Sequence, residues 1–141
     1  MTVFVDTSAL LAVLNREDLW AVRAGREWRR LVTAEETLAT TSYVVLETTA
    51  VLQRRIGLEA VHRFAADVLP LLAVTDVDTE LQRMAMSNLL VANRRDLSLV
   101  DCCSFEYMRR QGLRTAFAFD PHFTEQGFAL CGGGVSSPVG G

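Results

Sequence analysis

The sequence predicts a single α/β domain built on a mostly parallel sheet. Short apolar or β-branched runs alternate with segments of helical periodicity along most of the chain, which is typical of such a domain. The length of 141 residues, with 50% hydrophobic and 22% charged residues, suits one domain with its own core. The glycine-rich segment 132–141 lacks an apolar period and predicts a flexible tail, so we place the domain at residues 1–131.

Composition restricts the class of partner and the compartment. A formal net charge of −3 argues against binding of nucleic acid through a global positive potential, so such a partner would be held locally. The longest apolar run, Ala9–Leu14, is far shorter than the roughly 20 residues that span a membrane, and no basic segment precedes it. The three cysteines lack the paired spacing of a zinc site. We therefore expect a cytoplasmic protein with no membrane partner.

The beginning of the chain predicts one strand and two helices. Thr2–Val5 is an apolar, β-branched run and predicts the first strand. The polar turn at 6–8 leads into a short apolar helix that ends near Leu14. Apolar residues then recur every four positions from Trp20 onward, which predicts a second helix over 18–32.

The middle of the chain predicts a second strand and two further helices. Thr37–Thr41 is the strand, and Ser42 is the predicted N-cap of a helix that ends near Gly57. A further helix covers 58–69, and Pro70 is expected to stop it because proline cannot donate the next backbone hydrogen bond.

The rest of the chain completes a count of five strands and about six helices. Leu71–Thr75 has the continuous apolar character of a buried strand. Helical patterns follow over 76–93, with acids in the first turn, and over 99–111, where glycine terminates the helix. Thr115–Phe119 predicts the fourth strand, and Phe128–Leu130 predicts a last one at the edge of the sheet.

Two aspartates directly follow predicted strands. Asp6 comes after the first strand and Asp120 after the fourth, so both lie at carboxyl ends of strands. In open α/β sheets, ligands bind beyond these ends, at the point where the strand order reverses. Each aspartate also fits a helix N-cap, and Pro121 behind Asp120 suits the first helical position.

Two more acids lie on helices beside apolar residues. Glu47 falls inside the helix after the second strand, at helical spacing from Val44 and Val51. An unpaired buried carboxylate costs several kcal/mol, so Glu47 must reach solvent, an arginine or a cation. Asp101 lies three residues after Ser98 and fits a capping box, and it also begins the apolar side of its helix.

If these four carboxylates converge, their like charges require either proton uptake or a cation. Donor sets made of oxygen favour a hard ion such as Mg²⁺ or Mn²⁺ over zinc. Such an ion activates a water molecule and stabilises charge on a phosphate under in-line attack. The residue types therefore predict metal-assisted phosphoryl transfer.

Four segments, each with one of these acids, resemble the PIN-domain family, most closely its ribonuclease toxins of the VapC type. They occur in the family's order between Thr2 and about Leu130: VFVDTSALLAVL, SYVVLE, RRDLSLVDCCSFEYM and FAFDPHF. The resemblance implies a three-layer α/β/α fold around a mostly parallel five-stranded sheet. It also implies an endoribonuclease, dependent on Mg²⁺ or Mn²⁺, that acts as the toxin of a type II toxin–antitoxin pair.

The resemblance carries roles over to individual residues and partners. The catalytic positions of the family are matched by Asp6, Glu47, Asp101 and Asp120. Asp6 and Asp101 match the firmest metal ligands, and Ser98 supports Asp101. Thr7 and Ser8 match small hydroxyl residues that orient the first acid, and they fit helix-cap residues equally well. The implied partners are an RNA substrate, an antitoxin whose C-terminal segment docks at the active site, and a second copy in a homodimer.

Substrate binding would depend on arginines near the acids, because phosphate contacts position a nucleic acid. Arg54 lies two turns beyond Glu47 on about the same helical face. Arg94 and Arg95 lie beside the segment that leads to Asp101. These three arginines are the predicted RNA contacts.

Other titratable residues near the acids have simpler interpretations. His122 follows Asp120 closely and could contact a phosphate, but the lack of a second histidine or cysteine nearby argues against a ligand role. Asp96 is close enough to Asp101 to join the rim of the cleft. The two aspartates of segment 76–78 fit the first turn of a helix better than a ligand pair.

Three other functions share parts of this pattern. A phosphatase of the haloacid dehalogenase type also begins with an aspartate after the first strand, but it needs a second aspartate where Ser8 stands. A PIN-domain nuclease in RNA processing outside a toxin–antitoxin system would carry the same acids. A catalytically silent PIN-like interaction module would act through partner binding, and the presence of all four acids argues against it.

Overall fold

A computed structural model describes residues 1–131, so the predicted tail at 132–141 lies outside the described residues and stays a prediction. Within the described part of the chain, one sheet contains five strands. They are β1 (Thr2–Val5), β2 (Thr37–Thr41), β3 (Leu72–Thr75), β4 (Thr115–Phe117) and β5 (Ala129–Leu130).

Helices connect and flank these strands. They are α1 (Thr7–Leu14), α2 (Ala21–Thr33), α3 (Ser42–Arg55), α4 (Leu58–Arg63), α5 (Thr79–Ala92), α6 (Leu99–Gln111) and α7 (His122–Glu125). After α4 the chain continues without a break through a π-helical turn, Phe64–Val68, and a 3-10 turn, Leu69–Leu71. Pro70 therefore lies inside a tightened helical turn instead of stopping the helix. None of the helices among residues 1–131 has both the length and the apolar character needed to cross a bilayer.

All strand pairs in the sheet are parallel, and the strand order is β3-β2-β1-β4-β5. From β1 the chain adds strands on one side as far as β3, and then it returns to add β4 and β5 on the other side. The strand order therefore reverses between β1 and β4, which is where α/β sheets bind their ligands. This architecture confirms the predicted α/β fold with helices around a parallel five-stranded sheet.

The central strand β1 is the most deeply buried part of the sheet. Val3, Phe4 and Val5 have no exposed surface, as expected for a parallel strand that helices cover on both faces. The Phe4 ring lies 5.8 Å from the ring of Tyr107 and 6.0 Å from that of Phe123. Aromatic packing from two helices thus fixes β1, and with it the residue that follows β1.

The third strand lies at an exposed edge of the sheet, so the prediction of a buried strand was wrong. Val74 is 40% exposed, and Leu71 just before the strand is 48% exposed. Among the described strands, β3 pairs with β2 alone. The apolar run identified a strand correctly, but hydrophobic character does not determine where in a sheet that strand lies.

Two predicted boundaries differ because side chains make unexpected hydrogen bonds. The N-cap of α3 is Thr41, whose Oγ1 accepts the N–H of Val44 at 3.4 Å, so the prediction of Ser42 was one residue late. The Ser42 hydroxyl instead accepts the N–H of Val77 at 2.9 Å. Helix α2 begins at Ala21, because Asp18 forms a turn in which its side chain accepts the N–H of Trp20.

The fourth strand ends at Phe117, two residues before the predicted end. The N–H of Phe119 donates to the Ser8 hydroxyl at 2.9 Å and not to a neighbouring strand. The Phe119 ring stacks on Trp20, with ring centroids 5.1 Å apart. These contacts hold the segment after β4 against the start of α1, and Asp120 follows directly in that segment.

Candidate active site

Asp6 lies at the carboxyl end of β1, where it also caps α1. Its N–H donates to the carbonyl oxygen of Phe117 at 3.0 Å, which ties the backbone to β4. Its Oδ2 accepts the N–H of Ser8 at 3.1 Å and the Ser8 hydroxyl at 2.6 Å. With 3% of its surface exposed, Asp6 is a buried acid. The helix-cap interpretation and the site interpretation are thus both compatible with one carboxylate.

The two hydroxyl residues after Asp6 connect it to other elements. Ser8 donates to Asp6 and accepts the N–H of Phe119, so it joins α1 to the segment that carries Asp120. Thr7 accepts a hydrogen bond from the Thr48 hydroxyl of α3 at 3.3 Å. A hydrogen bond from Thr7 also lowers the pKa of Glu47 and opposes the effect of burial on that carboxyl. Both hydroxyls therefore lie between the predicted acids.

Asp101 occupies the first turn of α6 and forms the predicted capping box. The Ser98 hydroxyl accepts the N–H of Asp101 at 3.0 Å, and the N–H of Ser98 donates to Asp101 Oδ2 at 3.1 Å. The side chain of Asp101 is 14% exposed. A capping box fixes the conformation of its acid, so α6 presents this carboxylate in one orientation.

Burial and the charges of neighbouring acids raise the pKa values of three of the four predicted acids. Burial raises the pKa of Asp6 to about 7, the charges of Asp101 and Asp120 add to the shift, and the bonds from Ser8 oppose it. Burial and the same two charges raise the pKa of Glu47. Burial and the charge of Asp120 raise the pKa of Asp101. Asp6 and Glu47 thus each lie within range of the charges of Asp101 and Asp120 at the strand-order reversal, and a cation there would relieve the repulsion.

His122 lies among these acids, although the sequence argued against a ligand role. Its Nδ1 is 2.9 Å from Asp120 Oδ1 and 4.0 Å from Asp101 Oδ2, and its Nε2 is 3.1 Å from Asp96 Oδ2. Asp101, Asp120 and His122 can offer ligand atoms that all lie within 4.8 Å of one another, a set that could hold a metal ion. The sequence offered no second histidine or cysteine near His122 and so gave no sign of a ligand role, because the neighbours of the His122 ring are carboxylates.

An ion-pair network continues from His122 to the surface. Asp96 accepts hydrogen bonds from Arg94, at 2.7 Å and 3.0 Å, and the contacts with Arg94 and His122 lower the pKa of Asp96 to about 2. Arg94 also pairs with Glu125 at 3.0 Å. Burial lowers the pKa of His122. The hydrogen bond with Asp96 and the charges of Asp120 and Asp101 raise the pKa by more than burial lowers it, so the net shift is upward.

The predicted substrate arginines differ in their surroundings. Arg94 contributes its guanidinium to the pairs with Asp96 and Glu125. Arg54, in the last turn of α3, and Arg95, before α6, are exposed. Their contacts with RNA and the catalytic roles of the four acids stay predictions.

Comparison with known proteins identifies the family. The family model of the PIN domain matches residues 3–129, a range that includes all four acids. The chain belongs to the PIN-domain family. This PIN domain is 35% identical to the 23S rRNA-specific endonuclease VapC20 of Mycobacterium tuberculosis (strain H37Rv) over 127 residues, which cover 89% of this chain and 95% of the relative. The resemblance that four segments indicated is thereby confirmed.

Solved structures have the same fold as this PIN domain. The crystal structure of M. tuberculosis VapC20, described as a sarcin–ricin loop cleaving toxin, has a TM-score of 0.77 and 32% identity, and covers 90% of this chain and 96% of that chain. VapBC2 from Rickettsia felis, bound to a promoter DNA fragment, has a TM-score of 0.67 at 12% identity, and covers 92% and 97% of the two chains. FitAcB from Neisseria gonorrhoeae has a TM-score of 0.66 at 16% identity and covers 92% and 96%. The last two comparisons support the fold alone.

Proposed function

We propose that this PIN domain is a metal-dependent endoribonuclease that hydrolyses RNA phosphodiester bonds as the toxin of a type II toxin–antitoxin pair. One observation carries the proposal: Asp6, nearly fully buried and with a pKa raised to about 7, lies in the field of Asp101 and Asp120 at the strand-order reversal. Such a cluster costs stability unless a cation neutralises it, and perturbed acids of this kind are typical of catalytic sites.

The donor set suits Mg²⁺ or Mn²⁺, which Asp6 and Asp101 would hold. When bound, the ion supplies an activated water and neutralises charge on the phosphate. Ser8 and Ser98 orient these two carboxylates through the hydrogen bonds described above. Glu47, half-buried and with a raised pKa, is the acid that would transfer a proton.

We infer that the substrate is a structured loop of ribosomal RNA. Identity of 35% over 89% of the chain to a 23S rRNA-specific endonuclease supports this substrate class. The solved relative at 32% identity is described as a toxin that cleaves the sarcin–ricin loop, which supports that loop as the substrate to test first. The exposed side chains of Arg54 and Arg95 would contact the RNA backbone.

The partners follow from the same resemblance. An antitoxin is inferred because the solved relative at 32% identity is a toxin. A homodimer is the assembly that the family resemblance implies, and light scattering of the purified protein measures it directly. A cytoplasmic location is the compartment in which such a protein would meet its RNA.

Cleavage of labelled RNA tests the proposal. A fragment of 23S rRNA that contains the sarcin–ricin loop and an unrelated hairpin are incubated with the protein in Mg²⁺, in Mn²⁺ or in chelator, at low salt. We expect cutting of the rRNA fragment only with metal, and a loss of at least about 100-fold in Asp6→Asn. Asp67→Asn, which changes an exposed acid of the π-helical turn, is the matched control and should cut normally.

An inert protein would contradict the nuclease assignment. If the wild type cuts none of these RNAs while it remains folded and binds metal, the catalytically silent interaction module is the better interpretation. If Asp6→Asn cuts as fast as the wild type, the activity comes from a contaminant or from another site.

A further inference from the structure

We propose that His122 is a metal ligand of this PIN domain, with Nδ1 binding the cation beside carboxylate oxygens of Asp101 and Asp120. The resulting site combines nitrogen and oxygen donors and binds Mn²⁺ in preference to Mg²⁺. This inference rests on the proposed function for the presence of a cation, and it adds a ligand that the four acids do not include.

The distances around Nδ1 match those between ligands of one octahedral ion. With metal–ligand bonds of about 2.1 Å, adjacent ligand atoms lie about 3.0 Å apart and opposite ones about 4.2 Å apart. Nδ1 is 2.9 Å from Asp120 Oδ1 and 4.0 Å from Asp101 Oδ2. The distance from Nδ1 to Asp120 Oδ1 therefore matches two adjacent ligands of one ion, and the distance from Nδ1 to Asp101 Oδ2 matches two nearly opposite ligands.

The Nδ1 atom itself makes no well-directed hydrogen bond. It is fully buried and accepts or donates no hydrogen bond among the described residues, because the contact with Asp120 is short but poorly directed. A buried polar atom without a partner is rare in folded proteins and calls for a specific explanation. A cation between Nδ1 and the two carboxylates would satisfy it.

The other ring nitrogen has the contact that ligating histidines use. Nε2 lies 3.1 Å from Asp96 Oδ2, and Arg94 holds Asp96 in place through two hydrogen bonds. A carboxylate that accepts the Nε2–H selects the neutral tautomer whose lone pair is on Nδ1. The backbone also fixes the residue, because the N–H of His122 donates to Asp120 Oδ1 at 2.9 Å.

An imidazole ligand changes which ion the site prefers. Mg²⁺ is bound almost entirely through oxygen, whereas imidazole nitrogen is a common ligand of transition metals. The four acids alone would accept either ion. The addition of Nδ1 therefore shifts the preference toward Mn²⁺.

Pulsed EPR of Mn²⁺ bound to the intact, tag-free protein without RNA tests the assignment. The chain contains two histidines, and the other one, His62, is exposed on α4, so His62→Ala is the matched control. We expect ¹⁴N coupling from a coordinated imidazole in the wild type and in His62→Ala, and its loss in His122→Ala. Mn²⁺ affinity, measured by titration, should fall at least about 10-fold in His122→Ala, with a smaller change for Mg²⁺.

The outcomes separate this inference from the nuclease proposal. Bound Mn²⁺ without ¹⁴N coupling, or coupling that persists in His122→Ala, overturns the ligand role even if the protein cuts RNA. Coupling that depends on His122 in a protein that cuts no RNA supports the ligand role and removes the nuclease. If His122→Ala does not fold, His122→Gln retains a polar side chain against Asp96 and is expected to lose the coupling in the same way.

Discussion

At the scale of single residues, the position of Asp6 determines much of its chemistry. The carboxylate caps α1 through Ser8, and burial together with the charges of Asp101 and Asp120 raises its pKa to about 7. One side chain thus begins a helix and also presents a poorly stabilised negative charge at the site. A bound metal ion would stabilise the ionised carboxylate, and the carboxylate would in turn help to bind the ion.

The raised pKa of Asp6 predicts how stability depends on pH in chelator. The folded protein keeps a proton on Asp6 up to about pH 7, whereas the unfolded chain releases it near the ordinary aspartate pKa of 3.8. This group alone should therefore lower the free energy of unfolding as the pH rises between these values, by about 4 kcal/mol in all, of which about 3 kcal/mol falls between pH 5 and pH 8. Urea denaturation at pH 5 and pH 8 measures this fall.

Variants separate the contribution of Asp6 from those of other groups. The raised pKa values of Glu47, Asp101 and His122 contribute a fall of the same sign, so Asp6→Asn should reduce the difference between pH 5 and pH 8 and not abolish it. Asp67→Asn should retain the full difference. An unchanged difference in Asp6→Asn would show that Asp6 ionises at an ordinary pH.

At the scale of elements, an N-cap side chain begins both α5 and α6, but only α6 carries a predicted site residue. Asp78 caps α5 by accepting the N–H of Leu81 at 2.8 Å, and Ser98 caps α6 in the capping box with Asp101. Loss of either cap should cost the helix a similar free energy. Only the loss of Ser98 should disturb a carboxylate of the site.

This pair of caps gives a matched test. Ser98→Ala and Asp78→Ala should each lower the free energy of unfolding by about 1 kcal/mol, as measured by urea denaturation. Ser98→Ala should also weaken Mn²⁺ binding, measured by titration calorimetry, because Asp101 loses its fixed orientation. Equal Mn²⁺ affinities for the two variants would show that the capping box does not position Asp101.

Most elements could be predicted because their periodicity and boundary residues are local properties of the chain. The edge position of β3 and the early end of β4 could not, because they depend on strand order and on the long-range bond between Ser8 and Phe119. The four acids were identified from their contexts and from the family resemblance. His122 was missed because its carboxylate neighbours include Asp101 of α6 and Asp96, which lies 26 residues away in the sequence.

At the scale of the whole molecule, the proposed ion would link elements that are distant in sequence. The acids come from the ends of β1 and β4 and from α3 and α6, so only the folded chain offers the complete set of ligands. Anything that binds the folded state alone stabilises it by mass action. The ion should therefore act on global stability as well as on catalysis.

Mn²⁺ at about 100 times its Kd should add about 2.7 kcal/mol to the free energy of unfolding. For a domain of this size, that gain should raise the midpoint of thermal unfolding by about 5–10 °C. Calorimetry at pH 8 measures the shift, with NaCl at matched ionic strength as the control. A shift of the same size in Asp6→Asn would mean that the stabilising ion binds elsewhere.

The reversal of strand order between β1 and β4 has a consequence during translation. A nascent chain that ends before residue 115 can already pair β1 with β2 and β3, but it still lacks β4 and Asp120. Synthesis therefore produces most of the sheet before the site can exist. The complete set of site residues therefore comes together only after the fourth strand has emerged from the ribosome and docked beside β1.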